Sequence, residues 1–220
     1  MSTMTPDNKI HNKYYGFFVG LYNRNKKLLL IAVVIYFASL FIGIFIGYFS
    51  TAFTGNFLTS IINKLRGMII EITTFSILLH NLQSLLFSYF GGLIIIIPIG
   101  ALAFNGFIYG AFVGYFLHGG VLPNYFVSNP VDFIIYTLPH GIFEIPSFII
   151  ASAGGLRLAT LVIGVLTSMG NEKPISDHYW KIKDSLALLA IAIVLICIAA
   201  VIEANYSVHL GNYFTGLNIP

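Results

Sequence analysis

Charge is scarce in this chain of 220 residues: Lys, Arg, Asp and Glu together supply 9% of it, against roughly 25% in an average soluble domain. A fold of this size has too little polar surface to cover itself in water. Cysteine is almost missing. The single Cys197 lies in an apolar run, so no intrachain disulfide is available and the redox compartment is not readable. Eight prolines among 21 glycines exclude a collagen, and a 57% hydrophobic content excludes a disordered chain. Eleven basic residues against eight acidic ones leave a net charge of only +3, with no basic cluster of groove size, which excludes nucleic acid as a partner. Catalytic signatures are lacking too. No His-Glu-x-x-His, Gly-x-Ser-x-Gly, Gly-x-x-x-x-Gly-Lys or Cys-x-x-Cys occurs, so zincin, hydrolase-elbow, P-loop and thiol-metal chemistries have no foothold.

What the chain has is long apolar runs, with a mean hydropathy of +0.87. A helix crossing a ~30 Å hydrocarbon core needs about 20 mostly apolar residues. Leu28 to Phe49 meets this without a charge, directly after Asn23-Arg24-Asn25-Lys26-Lys27, and Ser185 to Ile202 does so again before Glu203. From Ile72 to Asn171 the formal charges are Asp132, Glu144 and Arg157 alone. Breakers divide this stretch: Gly91-Gly92 and Pro98 inside the span 81–104, the turn signal Asn105-Gly106, Gly119-Gly120, and a loop with Pro123, Asn124, Asn129 and Pro130. The expected fold is all-α, a polytopic transmembrane bundle of five or six spans. Pro139, Pro146 and Gly154-Gly155 predict broken or re-entrant helices around 131–169.

Lys9, Lys13, Arg24, Lys26 and Lys27 predict a cytoplasmic N-terminus at the plasma membrane, and Lys173, Lys181 and Lys183 put the later loop on the same side. That count prefers five crossings plus a re-entrant element. The whole chain reads as one integral membrane domain, 1–220, with 1–27 a basic, amphipathic cytoplasmic segment. Two helical stripes suit either the lipid interface or packing on the protein itself: Tyr14, Phe17, Phe18, Leu21 and Tyr22, and Leu58, Ile61, Ile62, Leu65 and Ile69 beside Lys64 and Glu71. Small residues recur at the spacing of close helix contacts, as Gly43-x-x-x-Gly47 and Gly106-x-x-x-Gly110-x-x-x-Gly114. These faces serve either a homo-oligomer or packing inside one bundle. Membrane lipid, further copies of the chain and other members of a membrane complex are the expected partners.

Chemistry concentrates at Leu138-Pro139-His140-Gly141-Ile142-Phe143-Glu144-Ile145-Pro146. His140 and Glu144 stand one helical turn apart on one face, and a carboxylate at membrane depth costs enough to face an interior or a wet cavity. His80, Asn81, Asn105 and Arg157 are the supporting polar candidates. Arg157 is the obvious counter-charge for Glu144, yet a hairpin at Gly154-Gly155 leaves a mismatch of about 12 Å, so Arg157 either meets a broken helix or serves the cytoplasmic interface. His118 and Asp132 read as helix-end caps, and Trp180 as an interfacial anchor. A metal at His140 and Glu144 would need a third ligand, for which only His80 is attractive.

Asn81, Gly91-Gly92, Asn105-Gly106, Leu-Pro-His-Gly-x-x-Glu-x-Pro at 138–146 and Gly-Gly-Leu-Arg at 154–157 follow an order that resembles the stage II sporulation protein M family over residues 75–205. The likeness is to the broad branch of short polytopic membrane proteins found beyond spore-formers. In the spore-forming branch, the resemblance implies a membrane component of a septal peptidoglycan-remodelling complex that works during engulfment. It implies no established catalytic activity and no cofactor. Two functions therefore lead. One is a non-enzymatic, oligomeric membrane component with a His140–Glu144 polar centre; the other is a small transporter or channel for protons, cations or small solutes that uses Glu144. An intramembrane metal hydrolase ranks third for want of ligands.

Overall fold

The computed structural model describes residues 6–68, 73–122, 127, 129–170 and 174–216. Of the residues named above, Lys9, Lys13, Tyr14, Leu65, Ile69, Glu71, Ile72, Pro123, Asn124, Asn171 and Lys173 lie outside the described residues or have side chains outside them. The described residues fold into helices: α1 (Pro6–Phe49), α2 (Thr51–Met68), α3 (Thr74–Phe90), α4 (Ile96–Leu117), α5 (Pro130–Gly170), α6 (Tyr179–Ile202) and α7 (Val208–Thr215). A short 3₁₀ turn, Gly91–Leu93, joins α3 to α4, and a π-helical turn, Glu203–Ser207, carries α6 into α7 without a break. Among the described residues there is no strand.

Four helices are long and apolar enough to cross a membrane: Tyr15–Phe49, Ile96–Leu117, Pro130–Gly170 and Tyr179–Thr215. The 17-residue α3 stands at the lower limit of spanning length. It passes through the same bundle: Ser88 bonds Ser152 of α5 at 2.9 Å and Tyr89 bonds Ser185 of α6 at 2.8 Å. The surface is that of a lipid-facing bundle. Large side chains such as Phe41, Phe45, Ile96 and Val194 point outward, while Ala32, Ala151, Ala153, Ala192 and Ala199 fill the core. In lipid, where no hydrophobic drive operates between helices, small interior residues let van der Waals contact accumulate.

The closest helix contact is between α1 and α4, and its register shows that they run parallel. Gly106 lies against Tyr36 and Ser39, Gly110 against Leu40 and Ile44, and Gly114 against Ile44; in return Gly43 and Gly47 meet the backbone of 107–115. A Cβ at Gly110 would collide with the Leu40 carbonyl. The double Gly-x-x-x-Gly face is therefore filled from within the chain, and a second copy would have to use another surface. On α2, Leu58 and Ile62 are buried against Ala111, Phe112 and Phe116, so this stripe packs on the protein itself. Phe17, Phe18 and Tyr22 of the N-terminal stripe are exposed, and only Leu21 of that group is buried.

The expectation of a broken or re-entrant segment around 131–169 needs correction. The helix α5 runs unbroken for 41 residues through Pro139, Pro146 and Gly154-Gly155. The glycines are contact points rather than breaks. Gly155 lies on the backbone of Ser88 and Tyr89, Gly154 on the Tyr89 ring, and a Cβ on Gly92 would strike the Gly155 carbonyl. A proline deletes one donor, which a tightly packed membrane helix tolerates when neighbours satisfy the freed carbonyl. At 1.5 Å per residue α5 is about 60 Å long, twice a hydrocarbon core. It passes through the bundle once, antiparallel to α1 and α4, and its surplus extends past Arg157.

Gly110→Ala should lower the stability of the protein in detergent by about 1–3 kcal/mol, the usual cost of overpacking. At Gly100 an added Cβ meets nothing within 4 Å. There the same change should be neutral or stabilising by up to ~1 kcal/mol. Thermal denaturation of the two variants side by side distinguishes a contact glycine from a merely helical one.

Candidate functional site

Four helices and the π-helical turn deliver the site. His140 and Glu144 are buried on consecutive turns of α5, with His140 Nε2 3.8 Å from Glu144 Oε2. From α4 the Tyr109 hydroxyl donates to Glu144 Oε2 at 3.2 Å. The π-helical turn brings Ser207 Oγ to 2.9 Å from His140 Nδ1, and it brings Glu203 inward. One ligand atom from each of His140, Glu144 and Glu203 lies within 4.8 Å of the others. The Asn81 side chain of α3 lies near enough to Glu203 to stabilise its charge. Tyr36 of α1 is 1% exposed, interacts electrostatically with Glu144, and has a buried hydroxyl without a hydrogen-bond partner among the described residues.

Ser207 anchors the Nδ1 side of the His140 ring. Ser207 Oγ donates to the Ile202 carbonyl at 3.4 Å. In the tautomer that carries its proton on Nδ1, Ser207 accepts from His140 and Nε2 turns a lone pair toward Glu144. The pair is then not a hydrogen bond but two acceptors facing each other. Glu203 adds a third. No lysine or arginine among the described residues pairs with either glutamate.

Other expected participants lie elsewhere. Arg157 is 13 residues from Glu144 along α5, about 20 Å, and belongs to a second polar cluster at one end of the bundle. Arg24 donates to both oxygens of Asp184, Nε at 2.8 Å and Nη2 at 2.7 Å. Asn25 donates to Asp184 at 3.0 Å and accepts from Arg157 Nε at 2.6 Å. Arg157 also donates to the Arg24 carbonyl and stacks 4.9 Å over the Trp180 ring. This is the interfacial alternative for Arg157, with Trp180 beside it. His80 and Asn105 are half-buried and make no hydrogen bond to the His140–Glu144 pair. Asn129 caps α5 by accepting from the Asp132 amide at 2.8 Å, and His118 caps α4.

Sequence reasoning misses Glu203, Ser207, Tyr109 and Tyr36. Glu203 reads as the end of a span, because a charge after an apolar run marks the edge of the hydrocarbon. The signal that could have found it is weak: Ser207 lies one turn beyond Glu203, and apolar Val208 and Leu210 follow among polar neighbours. The Asp184–Arg24–Asn25 link is missed as well, since nothing in the chain places residues 160 positions apart in register.

A family model described as stage II sporulation protein M matches residues 32–208. One relative, an uncharacterized protein of the archaeon Methanocaldococcus jannaschii, is 34% identical over 113 residues, 51% of this chain and 57% of the relative. A second uncharacterized protein of that organism is 33% identical over 76 residues, 34% of either chain. The chain thus spans between a third and somewhat over half of these relatives. No solved structure matches it.

Asp184→Ala should cost about 1.5–3 kcal/mol, the range for hydrogen bonds to a charged group, because it strips Arg24 and Asn25 of a shared acceptor. Asp184→Glu should recover part of the loss. Chemical denaturation in detergent, read by Trp180 fluorescence, reports both, since Trp180 sits on Arg157 in the same cluster.

Proposed function

The chain belongs to the stage II sporulation protein M family, and from that membership and the geometry above we propose that it is a non-enzymatic integral membrane protein that takes up and passes on a proton or small cation. The observation that carries this reading is the meeting of Glu144, Glu203 and His140 with no lysine or arginine partner among the described residues. A structural clasp sets donors against acceptors. Here acceptors face acceptors, an arrangement that gains most when a cation or a shared proton lies between them.

The depth of the centre fits this role. Along α5, Glu144 stands about 20 Å from Arg157 and about 21 Å from Pro130, which places it near the middle of a crossing. Substrate and coupling-ion sites of transporters lie at that depth. Five crossings account for the helix directions, through α1, α3, α4, α5 and the continuous α6–α7. The end carrying Arg24, Lys26, Lys27, Arg157, Lys181 and Lys183 then faces the cytoplasm, against Lys64 at the other end. The N-terminus is cytoplasmic in this arrangement and the membrane is the plasma membrane. Lipid contacts the outward aromatic and branched side chains, and other membrane proteins of a complex are the remaining partners.

Purified protein in vesicles should dissipate an imposed proton or cation gradient faster than empty vesicles do. Glu144→Gln and Glu203→Gln should abolish that flux while leaving the protein monodisperse and folded. Flux equal in wild type and both variants contradicts the reading. For the topology, cysteines introduced at Lys27 and His118 in a Cys197→Ala background should react from opposite faces of the cell membrane, Lys27→Cys only after permeabilisation. Labelling from one side contradicts the five-crossing arrangement.

A further inference from the structure

We propose that His140, Glu144 and Glu203 form a binding site for a single divalent transition-metal ion of the zinc, iron or manganese kind, near the buried hydroxyl of Tyr36, which is unpartnered among the described residues. The inference rests on the proposed ion-binding role of this centre and names its occupant.

The donor set selects the ion. One imidazole nitrogen and two carboxylate oxygens suit borderline divalent metals, whereas magnesium and calcium favour all-oxygen shells. Ligand atoms around a tetrahedral zinc lie roughly 3.4 Å apart when metal–ligand bonds are about 2.1 Å. The 3.8 Å between His140 Nε2 and Glu144 Oε2 is close to this, and the 4.8 Å limit on the whole set asks only for small side-chain rotations. The His140 ring is held by the 2.9 Å contact of Nδ1 with Ser207 Oγ, which leaves Nε2 on the side of Glu144 and, with the proton on Nδ1, free to ligate. A metal-bound histidine commonly holds its other nitrogen in this way. Tyr109 on Glu144 and Asn81 on Glu203 supply comparable outer partners for the carboxylates.

Charge supports the same occupant. Two ionised glutamates and a neutral imidazole carry −2, which one divalent ion cancels. A monovalent cation would leave a net charge buried in a low-dielectric interior, where it is costly. The second, independent sign of a ligand is Tyr36. Its hydroxyl is buried, unpartnered among the described residues and within electrostatic reach of Glu144 and Tyr109. Buried hydroxyls rarely stay unpaired. A water held on the metal would give this one a partner.

The test uses the full chain in detergent, stripped with a chelator and dialysed against zinc ion alone. Wild type should take up one saturable equivalent per chain, and cobalt in its place should give visible absorption bands of a low-symmetry site. His140→Ala and Glu203→Gln should lose the saturable equivalent, and Tyr109→Phe should weaken it by about 10–100-fold, as outer partners do. His118→Ala and His209→Ala should bind as wild type. No saturable equivalent in wild type, or the same equivalent in His140→Ala and Glu203→Gln, overturns the proposal. Vesicle flux separates it from the transport reading. Stoichiometric zinc without gradient dissipation supports the metal site and overturns transport, while dissipation unaffected by chelator in a protein that binds no metal does the reverse.

Discussion

The parallel, glycine-to-backbone contact of α1 and α4 is the constraint on which the rest of the bundle depends. Between helices in lipid, attraction comes from close packing and hydrogen bonds, not from water release. Gly106, Gly110 and Gly114 let α4 approach the backbone of α1, and Gly43 and Gly47 complete the approach from the other side. That register brings Tyr36 within about a helical turn of Tyr109. Both phenols then face the α5 turn that carries Glu144. A second tight contact, Gly92 and Tyr89 on Gly154-Gly155, holds α3 against α5 and brings Asn81 toward Glu203. The centre is thus positioned by backbone approach, which side-chain substitution elsewhere scarcely moves.

Two polar clusters divide the ionisable groups by depth. Near one end, opposite charges meet: Asp184 takes both Arg24 donors, with Asn25 and Arg157 around it. Arg24 remains partly open to solvent there, with 43% of its side chain accessible. That exposure keeps the desolvation cost of the pair modest. In the middle, acids meet each other and an uncharged imidazole. A chain seeking only stability would pair Glu144 with a base or replace it by an apolar residue, since buried ion pairs themselves add little. The separation of Arg157 from Glu144 by about 20 Å is what leaves the central acids without a basic partner.

Much of this is legible in the chain. The scarcity of charge and the apolar runs point to the membrane bundle, and the His140/Glu144 spacing reveals half of the centre. The errors share one physical origin. Gly-Gly and proline end helices in water because exposed backbone finds water there, but in a packed membrane interior Gly154-Gly155 is a contact surface and Pro139 and Pro146 lie inside one helix. Glu203 reads as interfacial by the same water-based logic. Its inward placement depends on the π-helical turn, which adds a residue to the helical repeat and shifts the face of everything after Ile202.

The account stands on Glu144 and Glu203 acting as one site, and a double-substitution cycle measures that directly. In metal-free protein near neutral pH, Glu144→Gln or Glu203→Gln alone should raise the unfolding free energy by relieving crowded acids, and the second substitution should add little to the first. Such a cycle should show a coupling of at least about 0.5 kcal/mol, as contacting residues do. Effects that add to within about 0.3 kcal/mol would mean that the two carboxylates do not sense each other, and would contradict the shared centre.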